Sequence, residues 1–175
     1  MYKDYFENKK VAIFDLESII DNFYEVYSET FQKILNDLRV DWVYLPDILK
    51  DGMTIKEMWD EISKQPYLEN KAPYKTIYES VIGNLMKHIN DEETSLLTKQ
   101  GFWGLTYELK EEGGFTLVLK SELDEKITKS LMYNLDLSNT FDLVVYQTDP
   151  LKPKNLYTQI IQQIKKYKLQ SKHCI

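Results

Sequence analysis

The sequence has few of the residues on which several common kinds of site depend. Its single cysteine, Cys174, excludes a disulfide within the chain. Its two histidines, His88 and His173, cannot complete a Cys/His zinc site with that one thiol. There is also no internal repeat and no low-complexity tract. Because 43% of the 175 residues are hydrophobic, the composition nevertheless indicates a folded protein with a substantial core.

Long apolar runs and an excess of positive charge are missing as well. No uninterrupted apolar segment approaches the roughly 20 residues that a membrane-spanning helix needs. Residues Met1 to Lys10 lack the apolar centre of a signal peptide. The formal net charge is -6, which opposes nonspecific attraction to nucleic acid or to anionic membranes. We therefore expect a cytoplasmic protein that binds neither; the sequence leaves its oligomeric state open.

Three short apolar runs predict the strands of a parallel sheet. They are Val11 to Phe14, Phe115 to Leu119 and Leu143 to Tyr146, and each ends in polar residues. The second and third runs are followed by apolar residues at helical spacing. This order predicts an α/β fold with a Rossmann-like parallel sheet that is covered on both faces.

The first two runs lie about a hundred residues apart, whereas a simple crossover between parallel strands needs only a dozen or so. The intervening segment has three helical patterns. The first begins near Phe23, the second follows Thr54 and Glu57 at capping-box spacing, and the third follows Pro73. We therefore predict an α-helical cap domain over residues 21–95, inserted into an α/β core formed by residues 1–20 and 96–175.

The polar residues that follow the strands are the candidates for chemistry, since functional groups of open parallel sheets collect at the carboxyl ends of the strands. The first strand leads into Asp15 and Glu17, the second into Lys120 and Ser121, and Lys152 follows the third. Two carboxylates, a hydroxyl and an ammonium suit phosphate chemistry. One carboxylate can attack phosphorus, the other can move a proton, and the remaining groups can hold the phosphoryl oxygens.

Simpler roles for the same residues stay open at this point. Asp15 and Glu17 are also consistent with solvated or helix-capping carboxylates. Ser121, which Glu122 and Asp124 follow, is equally consistent with a helix N-cap. A lysine before proline, such as Lys152, is most often a surface-loop residue.

These motifs together resemble the haloacid dehalogenase superfamily of phosphatases and phosphomutases. Residues Ile13 to Asp21 resemble its opening signature, an apolar strand followed by Asp-x-Asp-Gly-Thr. Residues Leu105 to Ser121 resemble its helix, glycine, strand and terminal Thr or Ser. Phe141-Asp142 and Lys152-Pro153 resemble the segments around its lysine. The insertion resembles the helical cap of β-phosphoglucomutase and phosphoglycolate phosphatase.

The resemblance implies a Mg²⁺-dependent phosphatase or phosphomutase-like hydrolase that acts on a small phosphorylated metabolite. Asp15 would be the nucleophile that forms an aspartyl-phosphate, and it would bind Mg²⁺. Glu17 would stand at the acid/base position and bind the metal through its backbone carbonyl. Ser121 and Lys152 would bind phosphate.

Three departures from the family pattern favour an alternative. Glu17 replaces an aspartate, and Ser18-Ile19 replaces Gly-Thr. Residues Lys172 to Ile175 resemble the start of a fourth core strand, after which the family's Gly-Asp and second acidic metal ligands would follow. The alternative is a catalytically degenerate or truncated member that acts as a binding or interaction module.

Overall fold

The chain folds into two compact units, Met1–Ile19 with Thr98–Ile175, and Ile20–Leu97. The computed structural model describes residues 8–40, 43–50, 52–66, 68, 72–90 and 96–175. Residue 95, the predicted end of the inserted domain, lies outside these ranges. The strands and α-helices are β1 Val11–Asp15, α1 Leu16–Ile19, α2 Phe23–Asp37, α3 Ile55–Ser63, α4 Tyr74–Asn90, α5 Phe102–Tyr107, β2 Thr116–Asp124, α6 Glu125–Asn134, β3 Leu143–Gln147 and α7 Leu156–Ile164. Shorter 3₁₀ turns span Leu45–Asp47, Lys165–Tyr167 and Ser171–His173, and a π-helical turn spans Glu108–Glu112.

The first unit contains a three-stranded sheet in the order β1-β2-β3. Both strand pairs are parallel, so the predicted α/β class with a parallel sheet is confirmed. In the register of β1 with β2, Val11 lies opposite Thr116 and Asp15 lies opposite Lys120. The two carboxyl ends therefore reach the same edge of the sheet, as the strand order predicted.

Alternation along the strands supplies apolar side chains to both faces of this sheet. On one face Val11, Val118 and Val145 form a buried cluster with Ile160 and Ile164 of α7. The other face carries a second cluster, which consists of Ala12, Phe115 and Leu117 with the partly buried Phe14, Leu109, Phe141 and Ile175. Burial on both faces explains why these strands are continuous apolar runs in the sequence.

Strand β2 extends further than its apolar run, from Thr116 to Asp124. Its register with β3 is regular up to the pair of Ser121 and Tyr146, but the next pair is Asp124 with Gln147. The two residues between Ser121 and Asp124 are thus left out of the ladder, which is a β-bulge. Bulges redirect backbone and side chains locally, and this one lies at the carboxyl end of the central strand.

The other side of β1 is paired as well. Cys174 forms a parallel bridge with Val11. The backbone N–H of Ile13 donates to the carbonyl oxygen of Ile175, and the N–H of Ile175 donates to the carbonyl oxygen of Val11, both at 2.9 Å. Of the expected start of a fourth core strand at Lys172 to Ile175, the structure shows only this isolated bridge, because Ser171–His173 form a 3₁₀ turn.

The second unit is helical, as the spacing predicted, and its core lies between α2, α3 and α4. Apolar residues that are fully or almost fully buried come from all three helices, namely Phe31, Leu35, Ile62, Val81 and Leu85. The predicted capping box opens α3, since the Thr54 hydroxyl accepts from the N–H of Glu57 while the Glu57 carboxylate accepts from the N–H of Thr54. Within the residues that the structure describes, no helix is long and apolar enough to cross a membrane.

Candidate active site

Asp15 ends β1, and its carboxylate is paired with Lys120 of the neighbouring strand. The two residues are directly opposite each other in the parallel register. The Lys120 Nζ lies 2.5 Å from Asp15 Oδ1. About a third of the Asp15 side chain is exposed (35%), whereas only 9% of the Lys120 side chain is. Asp15 therefore remains accessible to solvent beside a nearly buried ammonium.

A second carboxylate, Glu122, holds the same ammonium from the bulge. The distance from Lys120 Nζ to Glu122 Oε1 is 2.9 Å. Burial lowers the pKa of Lys120, but the hydrogen bonds and charges of Asp15 and Glu122 outweigh it and raise that pKa above its ordinary value. The ammonium also lies 5.3 Å from the ring centroid of Tyr157, within cation–π range. Lys120 is thus a fixed cation at this end of the sheet.

The last residue of β3, Gln147, keeps Glu122 in place. Its Nε2 donates to Glu122 Oε2 at 2.7 Å and to the carbonyl oxygen of Lys154 at 2.8 Å. Its Oε1 accepts from the N–H of Lys154 at 2.9 Å. Gln147 is 1% exposed, and these three bonds satisfy its amide. It therefore connects the bulge to the segment that follows β3.

Glu17, in the first turn of α1, directs its carboxylate at two donors on β2. Its Oε1 accepts from the Ser121 hydroxyl at 3.2 Å and from the N–H of Glu122 at 2.8 Å. Desolvation raises the pKa of Glu17 to about 7, although backbone N–H groups and the charge of Lys120 act against the rise. A carboxyl group with this pKa can both release and accept a proton near neutral pH.

Ser121 is completely buried and has three partners. Besides donating to Glu17, its hydroxyl accepts from the N–H of Leu123 at 3.2 Å and lies 3.1 Å from the Thr128 hydroxyl. The alternative that Ser121 caps the next helix is wrong, because Asp124 is the N-cap of α6 and accepts from the N–H of Ile127.

Lys152 does not join this cluster. It is exposed in the segment between β3 and α7, and its backbone N–H donates to the carbonyl oxygen of Asp149. Among the described residues, its ammonium has no hydrogen bond or ion pair. The cation that reaches Asp15 belongs instead to Lys120, and the phosphate-binding role expected for Lys152 stays a prediction.

The structure thus brings Asp15, Glu17 and Ser121 together with Lys120, which the sequence indicates as a strand-end candidate without a specific role. It also adds Glu122, which the sequence indicates only as a neighbour of Ser121. The available signal was the change from apolar to charged residues in Leu119-Lys120-Ser121-Glu122. Its meaning depends on the strand register and on the bulge.

The resemblance implies a Mg²⁺ ion beside Asp15 and Glu17. Mg²⁺ requires nearly octahedral oxygen coordination. Here one oxygen of Asp15 is paired with the Lys120 ammonium, and the Glu17 carboxylate is directed at Ser121 and Glu122. Over the described ranges, no group of three or more His, Cys, Asp or Glu residues is placed to hold a metal ion. In this arrangement the donors do not fit Mg²⁺, and Lys120 supplies the positive charge.

Solved structures with the same architecture are found by comparison of the whole fold. One is a hydrolase of the haloacid dehalogenase-like family from Streptococcus pneumoniae, at 14% identity and a TM-score of 0.69 over 96% of this chain and 74% of that one. The chain has the haloacid dehalogenase-like fold. CbbY from Rhodobacter sphaeroides in complex with phosphate shares this fold at 14% identity and a TM-score of 0.67, over 95% of this chain and 76% of that one. A predicted phosphatase from Clostridium acetobutylicum matches at 19% identity and a TM-score of 0.67, over 95% and 74% of the two chains.

The sequence alone matches no protein-family model and no curated protein. The haloacid dehalogenase-like fold expected from the resemblance is therefore confirmed by structure rather than by sequence similarity. The structural neighbours include proteins described as a putative β-phosphoglucomutase and a predicted phosphoglycolate phosphatase, and those descriptions apply to the neighbours.

Proposed function

We propose that this protein is a phosphatase-like hydrolase of a small phosphorylated metabolite, with Asp15 as the nucleophile. The observation that carries the proposal is the juxtaposition at one sheet edge of a solvent-accessible carboxylate, a fixed ammonium and two oxyanion donors. These are Asp15, Lys120, the Ser121 hydroxyl and the Glu122 N–H. Such a set both attacks and holds a phosphoryl group.

In the first step, a carboxylate oxygen of Asp15 attacks phosphorus and the bond from phosphorus to the ester oxygen breaks. The departing alkoxide takes a proton from Glu17, whose pKa of about 7 permits this near neutral pH. In the second step, water attacks the phosphorus of the aspartyl-phosphate while Glu17 takes a proton from it. The products are inorganic phosphate and free Asp15. The positive charge of Lys120 reduces the repulsion between the Asp15 carboxylate and the negatively charged phosphoryl group.

Turnover of p-nitrophenyl phosphate by purified D15N protein tests this proposal. We expect Asp15→Asn to abolish turnover, because an amide cannot act as the nucleophile. The matched control is Asp136→Asn, which changes an exposed aspartate after α6 that the site does not include and should turn over at the wild-type rate. Mass spectrometry of the wild type quenched during turnover should place one phosphoryl group on Asp15. Equal turnover by D15N and wild type would remove Asp15 from the reaction.

The second candidate is a phosphate-binding module without turnover. One specific observation favours it: Glu17, the proposed proton carrier, is engaged with the donors that would hold phosphate. In that case phosphate monoesters should bind to this site of the wild type, yet none should be hydrolysed. Titration with phenylphosphonate, whose P–C bond this reaction cannot break, combined with the turnover assay, separates the two candidates.

A further inference from the structure

Two hydrogen-bond donors on neighbouring residues of β2 converge on one oxygen atom. The Ser121 hydroxyl and the Glu122 N–H approach Glu17 Oε1 at 3.2 and 2.8 Å. Donors that converge in this way are typical of sites for oxyanions such as carboxylate, sulfate and phosphate. Here the oxyanion is part of the protein itself.

The direction of the serine donor is fixed by its other partners. The N–H of Leu123 donates to the Ser121 oxygen, and the Thr128 hydroxyl lies 3.1 Å from the same oxygen. Since a hydroxyl has one proton and two lone pairs, acceptance from both leaves the Ser121 proton for Glu17. Ser121 and Thr128 are both completely buried, so this arrangement does not depend on bulk water.

The end of β1 makes the second donor available. The N–H of Thr116 donates to the carbonyl oxygen of Lys10, so alternate residues of β2, Glu122 among them, direct their N–H groups to the β1 side of the sheet. The pairing of β1 with β2 ends at Asp15 and Lys120, so the Glu122 N–H lies past the ladder and donates to Glu17 instead.

We infer that the Glu17 carboxylate is an internal ligand of this oxyanion site, so that an external oxyanion binds to Ser121 and Glu122 only after Glu17 has released them. The inference rests on the proposed function and deepens it. It assigns Glu17 a role in the free protein as the competitor of the substrate's phosphoryl group. Displacement by that group would then place Glu17 beside the ester, where it can transfer a proton.

Binding of sulfate, measured by calorimetry at constant ionic strength, tests the inference without any turnover. Sulfate has the shape of a phosphoryl group and cannot be hydrolysed here. The first readout is the affinity of the wild type at pH 8.5, which should be weak because Glu17 occupies both donors.

The truncated variant gives the second readout. At pH 8.5, Glu17→Ala should bind sulfate about tenfold or more tightly than the wild type, since its donors have no internal partner. Adding Ser121→Ala to that variant should reverse the gain, and sulfate should shift the amide resonance of Glu122 in E17A. Circular dichroism confirms that each variant is folded, and E17Q provides a conservative substitute if E17A is not.

The inference is overturned if E17A binds sulfate no better than the wild type at pH 8.5, or if no variant binds it at all. These outcomes are separate from the test of the hydrolase, because D15N can lose turnover while sulfate binding still follows Glu17.

Discussion

Replacing Glu17 with glutamine should change how the free energy of unfolding depends on pH. In the unfolded chain Glu17 has an ordinary pKa of 4.5, and in the folded protein desolvation raises that pKa to about 7. Between these values the folded state holds a proton that the unfolded state has lost. The free energy of unfolding therefore falls as the pH rises, by up to about 1.4 kcal/mol per pH unit from this group.

Over the range from pH 5 to pH 8, this contribution amounts to a loss of roughly 2.5 kcal/mol. Glutamine has nearly the same shape but does not ionise, so E17Q should lack the loss. The difference in unfolding free energy between E17Q and wild type should therefore shift by roughly 2.5 kcal/mol in favour of E17Q across that range. Contributions from groups that are not coupled to Glu17 cancel in this difference.

Urea unfolding at four pH values, followed by circular dichroism, measures the effect. A carboxyl ¹³C titration, assigned with the E17Q spectrum, gives the pKa directly. The matched control is Glu125→Gln at an exposed carboxylate, where hydrogen bonding to Lys129 lowers the pKa of Glu125. Since that group stays ionised above pH 5 in both states, E125Q and wild type should give parallel curves. Parallel curves for E17Q as well would refute the burial argument for Glu17.

Four other substitutions, the first with a conservative control, test separate parts of the structure by urea unfolding. Lys120→Met should destabilise the protein by about 3 kcal/mol, because two carboxylates lose their shared cation, while K120R should lose less; equal losses would contradict the ion-pair argument. Thr54→Ala should lower the free energy of unfolding by about 1 kcal/mol, because the capping box of α3 is lost. An unchanged urea midpoint would contradict this role of Thr54. Gly83→Ala should stabilise α4 by about 0.5 to 1 kcal/mol, because no atom lies within 4 Å of the new methyl group. Gly113→Ala should instead cost about 1 to 3 kcal/mol, since its methyl group would lie 2.8 Å from the Leu109 carbonyl oxygen; the same sign for both glycines would contradict this comparison.

The placement of Asp15, Glu17 and Ser121 at one edge could be predicted because it follows from strand order. Parallel strands end at the same edge, and apolar runs locate those ends with little ambiguity. The helices of the second unit were predictable for a similar reason, since their apolar residues recur at helical spacing. Local signals such as the Thr54–Glu57 capping box also indicated where a helix begins.

The role of Lys120 could not be predicted, because it depends on which residue of β1 lies opposite it. Apolar runs give the position of a strand but leave its register with a distant neighbour undetermined. The bulge after Ser121 could not be predicted for the same reason, since it is defined by the pairing of β2 with β3. The helical segment before β2 likewise divides into α5 and a π-helical turn, and no residue in it indicates this change of hydrogen-bond pattern.

The pairing of β1 on both sides also has a consequence for synthesis on the ribosome. Its partners are β2 and the segment at Cys174 and Ile175, which are made long after β1 itself. The helices of the second unit, by contrast, make contacts that are closer in sequence and can form while the chain is still emerging. We therefore expect the nascent chain to acquire helical structure early and to complete its sheet late, with β1 exposed to chaperones in the interval.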